Sequence, residues 1–173
     1  MYLTSGVDII ATYNARLGGG RLNTILAANF NDMSIESIKT TALLAGKENI
    51  YFGPREKGFL LASAPKHKIG LSFDYTVNKF DVLLRLTHFS EVTLTNWNEE
   101  PDHYDGKLTT DISLGMKVSD MVNIAIGGNN IFDVYPDHHD PGLTESGGMW
   151  DAVQMGYGGA FFFAKIGIRF KTH

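Results

Sequence analysis

The densest group of metal-ligating side chains is the run Asp137-His138-His139-Asp140, and His103 and Asp105 form a second group in a separate polar segment. Imidazole and carboxylate groups together can hold a divalent metal ion. Adjacent histidines seldom share one tetrahedral ion, so solvated loop residues are the favoured interpretation, and we expect neither a metal site nor a cofactor. The chain contains no cysteine, which excludes thiolate zinc sites and cysteine nucleophiles.

Catalytic motifs are missing from the sequence. Gly18-Gly19-Gly20-Arg21 lacks the Gly-Lys-Ser/Thr that completes a phosphate-binding loop, and no Gly-x-Ser-x-Gly nucleophile motif is present. No carboxylate pair stands apart from ordinary loop charge. The net charge of −4 also lacks the basic character of nucleic-acid-binding proteins. We therefore predict that the chain is not an enzyme and does not bind nucleic acid.

Large apolar side chains are concentrated in segments that we expect to be loops: Trp97, Tyr104, Met149 and Trp150. Such side chains are less expected in exposed loops than in a core, so they are candidates for an apolar ligand-binding surface. The favoured alternative is that they pack loop against loop, or lie at a membrane interface, where barrels concentrate aromatic residues.

The elements that position these groups are strands, because side chains alternate between apolar and polar over most of the chain. The alternation predicts seven strands, at about 6–17, 22–31, 68–76, 80–90, 110–118, 122–126 and 160–170. Short turns at Gly18-Gly19-Gly20, Val77-Asn78-Lys79 and Ser119-Asp120 alternate with long connections at about 32–65, 91–107 and 129–158. In the first long connection we expect a weakly helical patch near 41–46 and a turn at Gly53-Pro54-Arg55.

The two faces of the predicted strands differ sharply. One, the apolar face, carries no Asp, Glu, Lys or Arg. The other, the polar face, collects Asp8, Arg16, Asp74, Asp81, Arg85, Asp111, Lys117, Lys165 and Arg169. This segregation predicts an all-β fold, an antiparallel up-and-down transmembrane β-barrel segment of about seven strands with one face toward lipid. The alternative is a half-buried sheet of a soluble protein, which alternates in the same way.

The N-terminal residues lack the basic and apolar regions of a signal peptide, and no apolar run approaches the ~20 residues of a spanning helix. From this we expect either a soluble protein or an internal piece of a longer one.

A motif near the end of the chain adds a resemblance. The run from Gly128 to Asp137, with Asn129, Asn130, Phe132, Tyr135 and Pro136, resembles the Asn-Leu-Phe-Asp-x-Tyr run near the C-terminus of TonB-dependent outer-membrane receptors, with Ile131 in place of the usual leucine. Pro65-Lys66-His67-Lys68 is similar to the Pro-x-x-Lys that opens a late barrel strand in that family, and Phe89-Ser90-Glu91-Val92 is similar to a Gly-Glu-Val run in some of its members. The final strand, ending on Phe170, resembles the family's barrel assembly signal, although three residues follow here.

The resemblance implies that residues 1–173 form the C-terminal part of such a receptor barrel, about seven of ~22 strands, with the plug domain and earlier strands absent. The short turns would be periplasmic, the long loops extracellular, and the polar face would line the lumen. The implied location is the outer membrane of a Gram-negative bacterium. The implied partners are outer-membrane lipid, the barrel assembly machinery, and the TonB complex only through the missing N-terminal region.

The resemblance implies transport of a scarce ligand such as an iron chelate of the siderophore kind, captured by the outer loops. Arg85 on the polar face is a candidate contact for an anionic chelate, although pairing with Asp81 or Asp74 is the favoured interpretation. Two alternatives stay open. One is a self-contained small outer-membrane barrel, an adhesin or porin-like protein, although bacterial single-chain barrels have even strand numbers. The other is a soluble β-sheet domain that binds a ligand on its polar face.

Overall fold

Strands account for most of the regular structure in the computed structural model, which describes residues 1–151 and 153–170. They are β1 (Tyr2–Leu17), β2 (Gly20–Ile35), β3 (His67–Val77), β4 (Phe80–Phe89), β5 (Val92–Thr95), β6 (Pro101–Tyr104), β7 (Lys107–Lys117), β8 (Val122–Asn129) and β9 (Phe161–Ile168). The helices are a 3₁₀ turn at Ala42–Leu44, α1 (Glu48–Tyr51) and α2 (Pro54–Ala62). Among the described residues, no helix is both long and apolar enough to cross a membrane.

Seven of the strands form one sheet in the order β1-β2-β3-β4-β7-β8-β9, and every neighbouring pair is antiparallel. The hairpin β5–β6 is a separate two-stranded sheet inserted between β4 and β7. Because the chain reverses at each step, the short turns lie at one end of the sheet and the long connections at the other. The predicted all-β antiparallel fold and its alternation of short and long connections are confirmed.

The first short turn shows why glycine is needed there. Gly18 and Gly19 have φ values of 55° and 80°, a conformation that glycine adopts without steric cost. Gly20 already belongs to β2, and the Tyr75 hydroxyl donates a hydrogen bond to the Leu17 carbonyl oxygen at 2.8 Å. The turn is thereby held against β3 as well as between its own strands.

The strand register brings the predicted apolar residues together on one continuous face. One row across the sheet runs Ala15, Leu22, Tyr75, Val82, Leu114, Ile126 and Ala164. On the other face, a row three residues further along the strands includes Ser72, Arg85 and Asp111. One residue departs from the predicted segregation: Asp32, opposite Ser5, lies on the apolar face, in the part of β2 that extends beyond the predicted strand.

Nothing in the described chain covers the apolar face. Its large exposed side chains are Leu3, Val7, Ile9, Tyr13, Leu17, Phe30, Phe80, Leu108, Leu114, Ile124, Ile126, Phe162, Ile166 and Ile168. Among the described residues, the buried apolar side chains are Ala28 in the sheet and Leu94, Tyr104 and Met155 in the long connections. The core of this chain therefore lies beyond one end of the sheet and not on its apolar face.

Three details of the structure differ from the prediction. Gly53-Pro54-Arg55 is not an isolated turn but the start of α2, because proline suits the first helical position and the Glu56 carboxylate accepts the Gly53 N–H at 2.7 Å. The second long connection contains two short strands, β5 and β6, in addition to the seven predicted ones. The last strand ends at Ile168, so Phe170 lies outside β9 and is 81% exposed. The helical patch predicted near 41–46 corresponds to the 3₁₀ turn.

Candidate functional site: the loop cap and the polar face

The long connections pack into one cluster at their end of the sheet. We call this cluster the loop cap: α2, the β5–β6 hairpin and the described part of the third loop, residues 130–160. Helix α2 packs against β5. A Cβ atom on Gly58 would come within 2.7 Å of the Thr95 hydroxyl oxygen, so this close approach depends on glycine. The third loop joins α2 and β5 through a backbone hydrogen bond, in which the Trp97 backbone N–H donates to the Leu143 carbonyl oxygen at 3.2 Å.

Arg55 is the residue that connects all three parts of the loop cap. Its Nη1 donates to the Thr95 carbonyl oxygen at 3.0 Å, and its Nη2 forms a hydrogen-bonded ion pair with Glu145. The guanidinium also lies over the Trp97 ring, 3.8 Å from its centroid. Such a cation–π contact favours a fixed ring orientation. Trp97 is nevertheless 58% exposed, so the indole is held in place while much of it faces solvent.

Polar side chains make up much of the interior of the loop cap. Asp151 is 1% exposed and Tyr104 is 2% exposed, and the Asp151 N–H donates to the Tyr104 hydroxyl oxygen at 3.1 Å. Asp102 accepts a hydrogen bond from the Asn96 side-chain amide at 3.1 Å. In both aspartates Oδ1 has a partner while Oδ2 is buried without one. Burying a carboxylate oxygen without a partner costs free energy, so both aspartates carry a desolvation penalty inside the loop cap.

The local environment shifts the pKa of several cap residues, among them Asp151, Tyr104 and Asp137. Burial raises the pKa of Asp151, and the nearby Arg55 charge only partly opposes this. Burial likewise raises the pKa of the Tyr104 hydroxyl. For Asp137, burial acts to raise the pKa, but hydrogen bonds from Lys107, at 2.5 Å, and from the Asp105 N–H together outweigh it and leave the pKa lowered.

An aromatic cluster lies within the third loop around Trp150. The Trp150 ring stacks with Tyr135 at 5.3 Å between centroids and with Tyr157 at 6.1 Å, and His138 meets it edge-on at 5.1 Å. Its indole N–H donates to the Pro136 carbonyl oxygen at 3.1 Å. Tyr157 is exposed, so the cluster presents an aromatic surface to solvent. This arrangement can bind a ligand that offers an apolar or flat surface.

The motif from Asn129 to Pro136 forms the turn that leads from β8 into the third loop. Asn130 has a φ of 49°, and its side chain both donates to the Val134 carbonyl oxygen at 2.8 Å and accepts the Val134 N–H at 3.0 Å. The Asp133 carboxylate accepts the Ala160 N–H at 2.8 Å just before β9, whereas Phe132 is exposed. The motif therefore has a local structural role: it closes the loop's entry and ties it to its exit.

A cavity of about 600 Å³ lies against the polar face. Its floor is formed by the small residues Ala27, Gly70, Thr87 and Thr109, which occupy one row of the sheet. Charged residues border this row on both sides: Asp8 and Lys68 on one side, Arg85 and Asp111 on the other. Two more cavities, of about 430 and 520 Å³, also lie mainly along this face, which is therefore the hollow side of the sheet.

Arg85 is exposed in this cavity, and none of the ion pairs among residues 1–151 and 153–170 includes it. The expected pairing with Asp81 or Asp74 is not observed. The acidic residue opposite Arg85 is Asp111 of β7, and Asp81 instead accepts a hydrogen bond from the Thr76 hydroxyl at 2.8 Å.

The four residues singled out for ligand binding do not form one site. Arg85 lies in the sheet cavity, and Trp97 lies in the β5–β6 connection against Arg55 of α2. Trp150 lies in the aromatic cluster, and Tyr104 is buried inside the loop cap. The candidate metal ligands also diverge, because Asp137 pairs with Lys107, His139 with Asp102, and His138 with Trp150. Within the described part of the chain, no group of three or more His, Asp or Glu is arranged to hold a metal ion.

Sequence reasoning missed Arg55, Glu145, Asp102 and Asp151. No local spacing could have found the first pair, since 90 positions separate its members. Asp102 occurs in a polar run that looks like ordinary solvated loop, and nothing in the spacing around Asp151 distinguishes it from other loop carboxylates.

The class that the fold and site define is an antiparallel β-sheet protein with an uncovered apolar face, a hollow polar face and a loop cap at one end. No family model, no curated protein and no solved structure matches this chain.

Proposed function

We propose that this chain is a wall segment of a transmembrane β-barrel in the outer membrane of a Gram-negative bacterium, part of a TonB-dependent receptor that takes up a scarce ligand such as an iron chelate. The observation that carries the proposal is the uncovered, almost charge-free apolar face. The motif between Asn129 and Pro136 supports the particular family, since it resembles that family's late-barrel motif.

The size of the apolar face favours a lipid environment. Fourteen of its large side chains are exposed, from Leu3 on β1 to Ile168 on β9. Full burial of one such side chain is worth about 1.5–3 kcal/mol, and soluble monomers rarely expose contiguous apolar patches above a few hundred Å². Lipid would cover the whole face at once. A soluble domain of this sequence would need another layer of protein over the face.

Strand length and the hollow polar face support the same conclusion. β3, β4 and β7 contain 11, 10 and 11 residues. A tilted strand of about 9–11 residues crosses the hydrocarbon region of a bilayer. The cavity beside Gly70 and Arg85 lies on the side that would face the lumen, where polar and charged residues are tolerated.

The direction of the edge strands favours a segment over a complete barrel. Six antiparallel steps separate β1 from β9, so the two strands run in the same direction. Direct closure would therefore join them as a parallel pair, whereas bacterial outer-membrane barrels are antiparallel with even strand numbers. An odd number of further strands would satisfy both edges. The self-contained small barrel is for this reason the second candidate.

Within such a receptor the loop cap would face the outside and contribute to ligand capture. Trp97 and the aromatic cluster around Trp150 are its accessible contact surfaces, and Arg85 lies further along the inward face. The TonB complex would act through other parts of the receptor, so this chain supplies wall and capture surface and not the energised step.

The test is to express the chain with and without membranes or detergent. We expect it to fractionate with membranes, to resist extraction by alkaline carbonate, and to fold in phospholipid vesicles. A soluble monomer that unfolds in a cooperative thermal transition in plain buffer would contradict both membrane candidates. A second measurement separates the barrel segment from the self-contained small barrel. If the strands that precede this chain in a longer protein are attached to it, only a barrel segment should become more stable.

A further inference from the structure

Two histidines lie on the apolar face of the sheet, at the end where the long connections begin. His67 of β3 lies opposite Phe30 of β2. His88 of β4 lies between Ile69 and Leu108 on the neighbouring strands. The two imidazoles stack with 5.2 Å between their centroids and 9° between their planes, and the Phe30 ring lies 6.1 Å from that of His67. We call these three side chains the ring belt, since they lie side by side across the loop end of the apolar face.

The two imidazoles of the ring belt need polar partners that the described chain does not supply. Among residues 1–151 and 153–170, the histidine rings that make hydrogen bonds are those of His103 and His139, and not those of His67 and His88. An imidazole carries at least one N–H donor, which costs free energy if it is buried in hydrocarbon without an acceptor. Histidine has an apolar body and a polar tip, so it suits the boundary between hydrocarbon and headgroups.

Beyond the ring belt, β1 and β2 continue as a two-stranded ribbon, residues 2–6 and 31–35, in which the pattern of polarity changes. The side continuous with the apolar face carries Leu3, Ser5, Asp32 and Ser34. The side continuous with the polar face carries Tyr2, Thr4, Gly6, Asn31, Met33 and Ile35. Asp32 and Ser34 are exposed, whereas Met33 and Ile35 are half-buried. The side that faces lipid within the sheet is thus mainly polar in the ribbon.

The length of β1 agrees with a boundary at the ring belt. Val7 lies opposite Phe30, and Leu17 is the last residue of the strand. The segment from Val7 to Leu17 has the length of a tilted strand that crosses the hydrocarbon region, about 9–11 residues. β1 contains 16 residues, so its first part, the ribbon, extends further. Just outside β3 and β4, Lys66 and Glu91 form an exposed ion pair at 3.1 Å, as is expected where hydrocarbon has ended.

We propose that the ring belt is a lipid-headgroup site, in which the His67 and His88 imidazoles donate hydrogen bonds to phosphate oxygens, and that the β1–β2 ribbon projects beyond the membrane. The inference rests on the proposed function and adds two points to it. It assigns the row of the sheet at which lipid contact ends, between Val7 and Ser5. It also names the chemical group that the chain contacts there, because phosphate oxygens accept the hydrogen bonds that hydrocarbon cannot.

The test is solid-state nuclear magnetic resonance on the whole chain, folded in phosphatidylcholine vesicles in a phosphate-free buffer, so that all phosphorus belongs to lipid. The histidine ring nitrogens are isotope-labelled, and lipid phosphorus attenuates the signals of nitrogens close to it. We expect attenuation at both histidines of the ring belt. His67→Phe and His88→Phe should each remove one attenuated signal and keep an aromatic ring in place. The matched control His138→Phe should remove only a signal that is not attenuated.

Fluorescent labels on single cysteines at Ser5, Val7 and Ile9 measure the depth of the boundary in the same vesicles. We expect lipid-borne quenchers to act at Val7 and Ile9 and a water-soluble quencher to act at Ser5. If the labels at Val7 and Ile9 are in lipid but no histidine signal is attenuated, the headgroup site is overturned and the membrane proposal stands. Access of the water-soluble quencher to all three labels overturns both. The unmodified chain already gives the attenuation result, so the test does not depend on the folding of the phenylalanine variants.

Discussion

Leu83 and Leu84 are adjacent in β4, yet their cross-strand partners place them on opposite faces of the sheet. Leu84 lies between Phe73 of β3 and Ile112 of β7, whereas Leu83 lies between Asp74 and Ser113. The same residue type therefore experiences two environments one position apart. This pair offers a direct way to compare the two faces at the same depth.

The first prediction concerns this pair. In the chain folded into vesicles, Leu84→Arg should lower the free energy of unfolding by about 2–4 kcal/mol, the usual effect of arginine on the lipid side at mid-depth. Leu83→Arg should have a much smaller effect, because its side chain reaches the polar, hollow face. Urea titration of both variants measures the difference. Equal destabilisation of the two would contradict the proposed lipid contact.

Much of the sheet is predictable from the sequence because successive side chains in a strand point to opposite faces. Once one residue is assigned to a face, the faces of its neighbours follow. Residues such as Phe73 and Ile112 reveal their face by spacing alone, and the register in the structure agrees. The strand ends are less predictable, as Asp32 shows, because alternation weakens where the sheet meets the loops.

The loop cap is not predictable in this way, for two physical reasons. Strands β5 and β6 have only four residues each, too few for a pattern, and α2 contains the consecutive apolar residues Phe59, Leu60 and Leu61, which favour no single helical face. Its contacts also join distant positions, as Arg55 and Glu145 do. Such pairs depend on the finished fold.

The second prediction concerns Arg55. Arg55→Lys keeps the charge but loses the planar fork that reaches both Thr95 and Glu145 while covering the Trp97 ring. We expect faster exchange in β5 by about tenfold and a red shift of tryptophan emission, since loss of hydrogen bonds to a charged group costs about 1.5–3 kcal/mol. Arg85→Lys is the matched control, because Arg85 has no ion pair among the described residues. A tryptophan emission spectrum of Arg55→Lys that is identical to that of the unmodified chain would show that Arg55 does not hold the loop cap together.

The third prediction concerns the turn after β8. Asn130→Ala should destabilise the third loop by about 2–3 kcal/mol, because it removes two hydrogen bonds to Val134 and places alanine at a positive φ. Asn130→Gly should lose less stability, since glycine accepts that backbone conformation. Limited proteolysis of residues 130–160 measures the difference. Identical behaviour of the two variants would mean that the backbone conformation of Asn130 is unimportant.

The fourth prediction concerns pH and the two cap aspartates with opposite shifts. The folded-state pKa of Asp151 is raised by burial, so stability increases as the pH falls through that folded pKa toward the unfolded value. Asp151→Asn should remove this dependence and be at least as stable as the unmodified chain at neutral pH.

Asp137 has the opposite sign. The hydrogen bonds from Lys107 and the Asp105 N–H outweigh burial and leave its pKa lowered. Its stabilising contribution is therefore present above the unfolded pKa and is lost as the pH falls through the folded pKa. Asp137→Asn should lower stability at neutral pH but not in acid. Urea titrations across the acid range compare both variants, and matching pH profiles would contradict the assignment of opposite environments.

The central claim is that one face of the sheet meets lipid and the other does not, and β9 tests it most directly. The chain has no cysteine, so single cysteines can be placed at Phe163, Ala164, Lys165 and Ile166 and labelled with an environment-sensitive fluorophore. In vesicles, we predict that lipid-borne quenchers act on labels at Ala164 and Ile166, while a water-soluble quencher acts on labels at Phe163 and Lys165. Uniform access of the water-soluble quencher to all four positions would contradict the account.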